Sequence, residues 1–213
     1  MTQPRLHTQR LSLVPLGHEH LPLEIELDSD PEVMRYLTGR ARSAVEVQQL
    51  HRHRLAVAEP VPGLGFWAGF TGEDFVGWWI LAPPEDSDRS PVRHEAELGY
   101  RVLRRHWRRG YASEGARELI RYGFTEIGLD RIFAQTLAVN APSRATMAAV
   151  GMAFARSYVS AESDLELIPG GEHGEVEYEL TRVTWQQRAA SAPHPAEEQR
   201  DRETEGGDTD SDP

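Results

Sequence analysis

Apolar residues alternate with polar ones from Leu6 to Val14 (LHTQRLSLV), a period that predicts a β-strand, and Pro15 closes it. A weaker helical spacing follows through Leu21, Ile25 and Leu27, with Pro22 in the first turns. Asp30 before Pro31 is an N-cap with proline at the first helical position, which predicts a short helix using Val33, Met34 and Leu37 as its apolar side. Ser43 followed by Glu46 forms a capping box for a third helix, running to about Glu59 and stopped by Pro60 and Pro62. Two strands, Phe66–Thr71 and Phe75–Leu81, flank the turn residues Gly72-Glu73-Asp74. Pro83 to Pro91 reads as a polar loop. In Glu95–Leu103 (EAELGYRVL) the apolar stripe is Ala96, Leu98, Tyr100 and Val102, with Glu95, Glu97 and Arg101 on the other face. Gly99 inside that run predicts a bulge or a close approach.

The strongest helical period in the chain runs through Ala112, Ala116, Leu119, Ile120, Gly123, Phe124 and Ile127, and Gly128 ends it. Arg131–Leu137 predicts a strand, Asn140-Ala141-Pro142-Ser143 opens a short helix ended by Gly151, and Phe154–Val159 and Glu175–Val183 predict two last strands. This order describes a mixed α+β sheet and not a run of βαβ units. From Gln187 the apolar positions nearly vanish, and Ala189–Pro213 carries eight acidic residues against Arg200 and Arg202. Such a stretch buries too little surface to offset its ordering entropy, so residues 1–186 are expected to form the domain and 187–213 an acidic disordered tail.

Composition narrows the chemistry. The 213 residues contain no cysteine, which excludes disulfides and thiolate chemistry, and all 23 basic residues are arginine, so no lysine serves as a Schiff base or phosphate ligand. A formal charge of −11 argues against general nucleic-acid affinity. No apolar run approaches the length of about 18 residues that a membrane helix needs, and no signal-peptide core is present, which reads as a cytoplasmic protein. His18, His20, His51, His53 and His94 form pairs without a third ligand at metal spacing, so they are expected on the surface and no metal is expected. Phe66, Trp67, Trp78 and Trp79 read as core, with one or two of them at an acceptor groove.

One stretch stands apart: Arg104–Ala116 (RRHWRRGYASEGA), an arginine-rich turn that closes on Gly110 as the best helix begins. Unpaired N–H groups and partial positive charge at a helix N-terminus suit a phosphate. Neither a Walker A pattern nor a G-x-G-x-x-G after a strand is present, so ATP and NAD are not indicated.

With its neighbours, this stretch resembles the GCN5-related N-acetyltransferases, and within them the branch of ribosomal-protein N-terminal acetyltransferases. The likeness covers roughly Leu6 to Trp185. It rests on Gln9-Arg10-Leu11-Ser12-Leu13, Asp30–Leu37, Glu97-Leu98-Gly99-Tyr100, Trp107–Glu114, Asn140-Ala141-Pro142-Ser143, and Met147 with Gly151-Met152. The resemblance implies a mostly antiparallel sheet of six or seven strands with helices on both faces. It also implies transfer of an acetyl group from acetyl-CoA, as co-substrate, to an amine acceptor by direct attack. The family holds the coenzyme A pyrophosphate on a Gln/Arg-x-x-Gly-x-Gly/Ala loop. Gly110 and Ala112 fill its last two places, Trp107 stands at the first, and Arg108 occupies a position where this branch often has glycine. Arginine tolerates positive φ poorly, and its guanidinium suits phosphate.

The roles implied are these. Backbone N–H groups of Tyr100, Arg101 and Val102 polarise the thioester carbonyl, beside a splay between strands. Trp107, Arg108, Arg109, Gly110, Tyr111, Ala112 and Ser113 form the cofactor loop, and Asn140 and Ser143 lie along the pantetheine arm and sulfur, although Asn140 also suits a helix cap. Glu97 is the favoured base, Glu95 the second choice, and Tyr158 a proton donor to the thiolate or a core aromatic. The acceptor stays open between a protein N-terminus and a small-molecule amine. A non-catalytic acyl-CoA-binding module is the alternative, nucleic acid is a weak third reading, and a homodimer is compatible with the family.

Overall fold

The computed structural model describes residues 3–56, 61–84, 94–159 and 168–191. The expected loop at 83–91 and the tail from 192 onward lie mostly or wholly outside them. Its eight strands form one sheet: β1 (Leu6–His7), β2 (Ser12–Pro15), β3 (Gly65–Thr71), β4 (Asp74–Ala82), β5 (Glu95–Val102), β6 (Arg131–Leu137), β7 (Ala153–Tyr158) and β8 (Glu175–Thr181), in the order β1-β2-β3-β4-β5-β6-β8-β7. The count exceeds the expected six or seven because the first alternating run folds back on itself. A turn closed by Thr8 N–H donating to the Leu11 carbonyl splits it, and Leu6 then pairs with Leu13.

Helices cover both faces. The first face carries α1 (Leu21–Asp28), α2 (Pro31–Met34) and α3 (Ala44–Ala56). The caps read from sequence are formed: Asp30 accepts from Glu32 N–H, and Glu46 accepts from the Ser43 N–H and hydroxyl. The Arg40 guanidinium foremost, and then the two Ser43 bonds, hold the Glu46 carboxyl at about 2. Met34 is buried, but Leu37 is exposed and adds nothing to the apolar side of α2. Leu27 packs here with Phe66, Ala68, Phe75, Trp78 and Leu103.

The opposite face carries α4 (Tyr111–Tyr122), a π-helical turn at Gly123–Ile127, and α5 (Ala141–Ala149). Trp79 lies fully buried beneath α4 and donates its indole N–H to the Ala112 carbonyl at 3.1 Å. Gly115 makes this possible, since a Cβ there would stand 2.4 Å from the Trp79 ring. Gly99 plays a similar part and forms no bulge. The β4–β5 register runs unbroken through it, and the Ile80 methyl group occupies the place of its missing side chain. The sheet's irregularity on this side falls at Gly69/Phe70 instead. A last helix, α6 (Arg182–Ser191), follows β8 and includes Gln187, the first residue of the expected tail.

On the α1–α3 face an ionic cluster is buried. Asp28, fully inaccessible, is bonded by Arg101 and by Arg54 (3.0 Å), with Arg42 at 3.5 Å; Glu24, also inaccessible, takes Arg54 (2.5 Å) and His51 Nδ1. His51 and His20 are therefore buried, against the expectation of surface histidines. Arg101 and Arg54 also stand over the Trp78 ring at 4.7 and 5.2 Å. Burial alone would raise the Asp28 carboxyl, but Arg101 and Arg54 more than reverse this and leave it below the usual carboxylate range. Burial draws Arg101 down to about 10, so it keeps its charge at neutral pH.

Two outcomes follow. Gly115→Ala would stabilise an ordinary exposed helix by about 0.5–1 kcal/mol. Here the clash with Trp79 is expected to destabilise the protein by about 1–3 kcal/mol, seen as a lower urea midpoint at unchanged slope. Because the pKa of Asp28 is depressed on folding, its contribution is complete above the free carboxylate value near 4 and is lost as pH falls through the lower folded value. Asp28→Asn should cost about 3–5 kcal/mol at neutral pH, by leaving buried guanidinium charge uncompensated, and should flatten the loss of stability below about pH 4 in acid unfolding curves.

Candidate active site

β5 and β6 form the one parallel pair among the described residues, and they pair only from Glu95–Glu97 against Arg131–Phe133. Beyond that the strands part. On one flank β5 continues against β4 up to Val102, and on the other β6 continues against β8 up to Leu137. The edge of Leu98–Val102 that faces β6 therefore carries no ladder, and a wedge-shaped gap opens between two otherwise paired strands. Leu103 N–H donates to the Val76 carbonyl on β4, so by alternation the Arg101 N–H also turns to β4, whereas those of Tyr100 and Val102 turn to the β6 side and line the gap. Arg101 is thus set apart from the expected trio: its N–H faces β4 and its side chain is committed to Asp28 on the α1 face.

The connection from β5 to β6 runs over the mouth of this gap. A 3₁₀ turn at Arg104–His106 follows Leu103, and Trp107 folds back to donate its indole N–H to the Val102 carbonyl at 2.7 Å. Arg108 adopts φ 59°, the one positive φ outside glycine among the described residues. The left-handed conformation that glycine would supply here is thus taken by the arginine itself, whose side chain is exposed. Gly110, at φ 82°, is the N-cap of α4 and brings no capping side chain. The first intrahelical bond is Glu114 N–H to the Gly110 carbonyl, so the N–H groups of Tyr111, Ala112 and Ser113 precede the helix's own acceptors. This loop is further braced by Arg10, which donates to the Arg109 carbonyl and pairs with Glu114. Nothing local in the sequence marks that contact, which joins residues about a hundred positions apart.

α5 stands beside the gap on the same face as α4. Asn140 caps it, accepting from Ser143 N–H at 3.2 Å and donating to Thr136 Oγ1 at 2.9 Å. The Tyr100 hydroxyl lies 3.1 Å from the Ser143 carbonyl and 3.2 Å from Ser143 Oγ, which ties α5 to β5. Burial raises the Tyr100 phenol.

Glu97 and Tyr158 lie on the other face, so the structure divides the expected catalytic residues into two sets across the sheet. Alternation along β5 puts Glu97 with Glu95, and Glu95 shares Arg131 with Glu177 and Glu179. Glu95 is thereby held 2.9 Å from a guanidinium. Tyr158 on β7 is opposite Glu175 on β8. Burial first, then Glu175, Glu177 and Glu97, push its phenol well above the usual tyrosine value. Burial also raises the Glu175 carboxyl, a residue that no sequence pattern singled out. A cleft of about 530 Å³ adjoins them, lined by Arg131, Phe154, Arg156, Glu177 and others. Glu177 within it accepts from Arg131, Arg156 and Gln135. Among the described residues no group of three or more His, Asp or Glu side chains is placed to hold a metal, and no helix is long and apolar enough to cross a membrane.

The chain matches the acetyltransferase (GNAT) domain family over residues 10–153. It is 44% identical over 186 residues to the FsC-acetyl coenzyme A-N(2)-transacetylase of Aspergillus fumigatus, spanning 86% of this chain and 78% of that one. An uncharacterized N-acetyltransferase of Bacillus licheniformis is 31% identical over 152 residues, covering 65% of this chain and 76% of that one. Among solved structures, a GNAT acetyltransferase from Bacillus anthracis superposes with a TM-score of 0.67 at 22% identity, covering 84% of this chain and 99% of that chain. A ribosomal L7/L12 α-N-protein acetyltransferase bound to coenzyme A superposes with a TM-score of 0.69 at 15% identity, covering 84% and 98%. The parted strands, the glycine-capped helix at their mouth and these matches lead to one conclusion: this chain belongs to the GNAT family and is an acetyl-CoA-dependent acetyltransferase.

Proposed function

We propose that the chain acetylates an amine of the kind named for its fungal relative, the N(2) position of FsC, with the thioester held in the gap between β5 and β6. The carrying observation for the acceptor is the 44% identity to that transacetylase across most of both chains. A spermidine N-acetyltransferase of Vibrio cholerae and the ribosomal L7/L12 acetyltransferase share 15% identity each with this chain, a likeness of fold alone.

In this reading the loop Trp107–Ser113 takes the diphosphate of the cofactor. The N–H groups at the start of α4 supply the donors, with the Arg108 and Arg109 guanidiniums beside them. The backbone N–H groups of Tyr100 and Val102, free of a ladder on the β6 side, polarise the carbonyl oxygen. The amine enters from the face of Glu97 and attacks the carbonyl carbon. The C–N bond forms, the C–S bond breaks, and the amine proton passes to Glu97, directly or through one water. The electron pair leaves on sulfur. Asn140 and Ser143 border the pantetheine arm, and the Ser143 hydroxyl, backed by Tyr100, is one donor to the thiolate. Tyr158, kept protonated by burial and three glutamates, is the other hydroxyl at hand.

Thiol release from acetyl-CoA measured with FsC, spermidine and an L7/L12 N-terminal peptide tests the acceptor. Fastest turnover with FsC is expected, and faster turnover with either of the others would replace this assignment. Glu97→Gln should lower kcat by about a hundredfold or more with the KM for acetyl-CoA unchanged. Full turnover by that variant would move the base to another group on the face, Glu175 first.

A further inference from the structure

A carboxylate sits where the anion loop least suits one. Glu114 lies in the first turn of α4, close to the N–H groups that face the proposed diphosphate. An ionised side chain there stabilises the free helix, because it satisfies the positive end of the dipole. For the same reason it competes with any incoming anion. The structure disposes of this charge on the side away from the gap. Glu114 Oε2 takes Arg10 Nε at 2.7 Å and Arg10 Nη2 at 2.6 Å, and Oε1 takes the Arg10 backbone N–H at 2.8 Å and the Thr8 hydroxyl at 2.5 Å. All four donors come from the turn between β1 and β2.

The same guanidinium reaches the loop itself. Arg10 Nη1 donates to the Arg109 carbonyl at 3.0 Å, and the guanidinium carbon stands 4.6 Å from the centre of the Tyr111 ring, which meets His106 edge-on on its own account. A Cβ on Gly110 would stand 3.3 Å from Arg10 Nη2, so the side chain lies across the left-handed glycine. With the Arg109 carbonyl held back toward β1–β2, the peptide group that joins Arg109 to Gly110 is fixed in orientation. Its N–H therefore points away from Arg10. Burial alone would raise the Glu114 carboxyl, but the Thr8 and Arg10 hydrogen bonds bring it below the usual range, as expected of a carboxylate that stays ionised and fully paired.

We propose that Arg10 is a positioning residue for acetyl-CoA, which neutralises Glu114 and fixes the Arg109 carbonyl so that the start of α4 remains a net positive, outward-facing cradle for the diphosphate. This rests on the reading of the loop as the diphosphate site. Arg10 acts through Glu114 and the loop, and it need not touch the reacting atoms. The two functions separate by mutation, since removing Arg10 leaves an uncompensated carboxylate beside the anion, whereas removing both charges leaves only a looser loop.

The test uses the full chain, with acetyl-CoA affinity from calorimetry and steady-state kinetics in parallel. Arg10→Ala should raise Kd and KM for acetyl-CoA about tenfold, the scale of one lost charge-assisted hydrogen bond, with kcat and the acceptor KM within about twofold of the parent. Arg10→Ala with Glu114→Gln should recover about threefold or more of that affinity, and Glu114→Gln alone should weaken binding less than Arg10→Ala. Arg10→Lys should fall between parent and Arg10→Ala, because charge is kept and the fork is lost. Melting curves show which variants are folded at the assay temperature. An Arg10→Ala Kd equal to that of the parent, or a double variant no tighter than Arg10→Ala, would overturn the proposal. Gly110→Val separates this from the parent reading. If it binds acetyl-CoA as tightly as the parent, the loop is not the diphosphate site. If it binds weakly while Arg10→Ala does not, only the role of Arg10 is lost.

Discussion

The parting of β5 and β6 after three paired residues is the constraint on which the site depends. Antiparallel neighbours can be joined by a tight turn, but a parallel pair needs a crossover. That crossover supplies the arginine-rich turn, the left-handed Gly110 and α4 in one connection. Because it starts at the end of β5 and returns to β6, the N-terminus of α4 lies over the place where those strands separate. Gap, loop and helix terminus are thus consequences of a single topological fact. Gly115 and Trp79 then set the height of the helix above the sheet.

The two faces of the sheet have different electrostatics. Beside the gap on the α4 and α5 face the bonded polar pairs are neutral, Tyr100 against Ser143 and Asn140 against Thr136. On the other face, carboxylates and guanidiniums interleave, from Asp28 and Arg101 beneath α1 to Glu177 with Arg131 and Arg156. Arg101 links these patterns. Its backbone pairs with Trp78 of β4 beside the gap, and its side chain anchors that part of β5 to α1 through a buried pair.

Much of the frame was legible in the sequence because its signals are local. Ser43 with Glu46, Asp30 with Pro31, Gly72 at its hairpin and the apolar stripe of α4 each act within a few residues, and each is formed. The strand count was not legible, because the reversal at Thr8–Leu11 is built from one backbone bond and the Thr8 hydroxyl accepting from Leu11 N–H inside an apparently continuous alternation. Nor were the buried histidines. His51 reads as a polar helix residue until Glu24, 27 positions away, is seen beside it. At the site, Gly110 and the strand residues were proposed from their neighbours in sequence. Arg10 and Glu114 entered only as parts of family motifs, without a role, and Glu175 only as the start of a strand, because their meaning lies in partners on other strands and helices, and no period or spacing encodes such partners. Arg108 marks the converse case: its identity advised against a left-handed turn, and the surrounding connection imposes one.

β1 is two residues long and forms the outer edge of the sheet, where backbone amides exchange most readily with solvent. Its turn into β2 is nevertheless joined to the first turn of α4, near the middle of the sheet, by the bonds of Thr8 and Arg10 to Glu114. Coupling of this kind is reciprocal. If fraying of the edge hairpin loosens the anion loop, then an anion held by the loop must slow the fraying. The exchange protection of Leu11 and Leu13 amides therefore becomes a readout of occupancy at a site to which neither residue belongs.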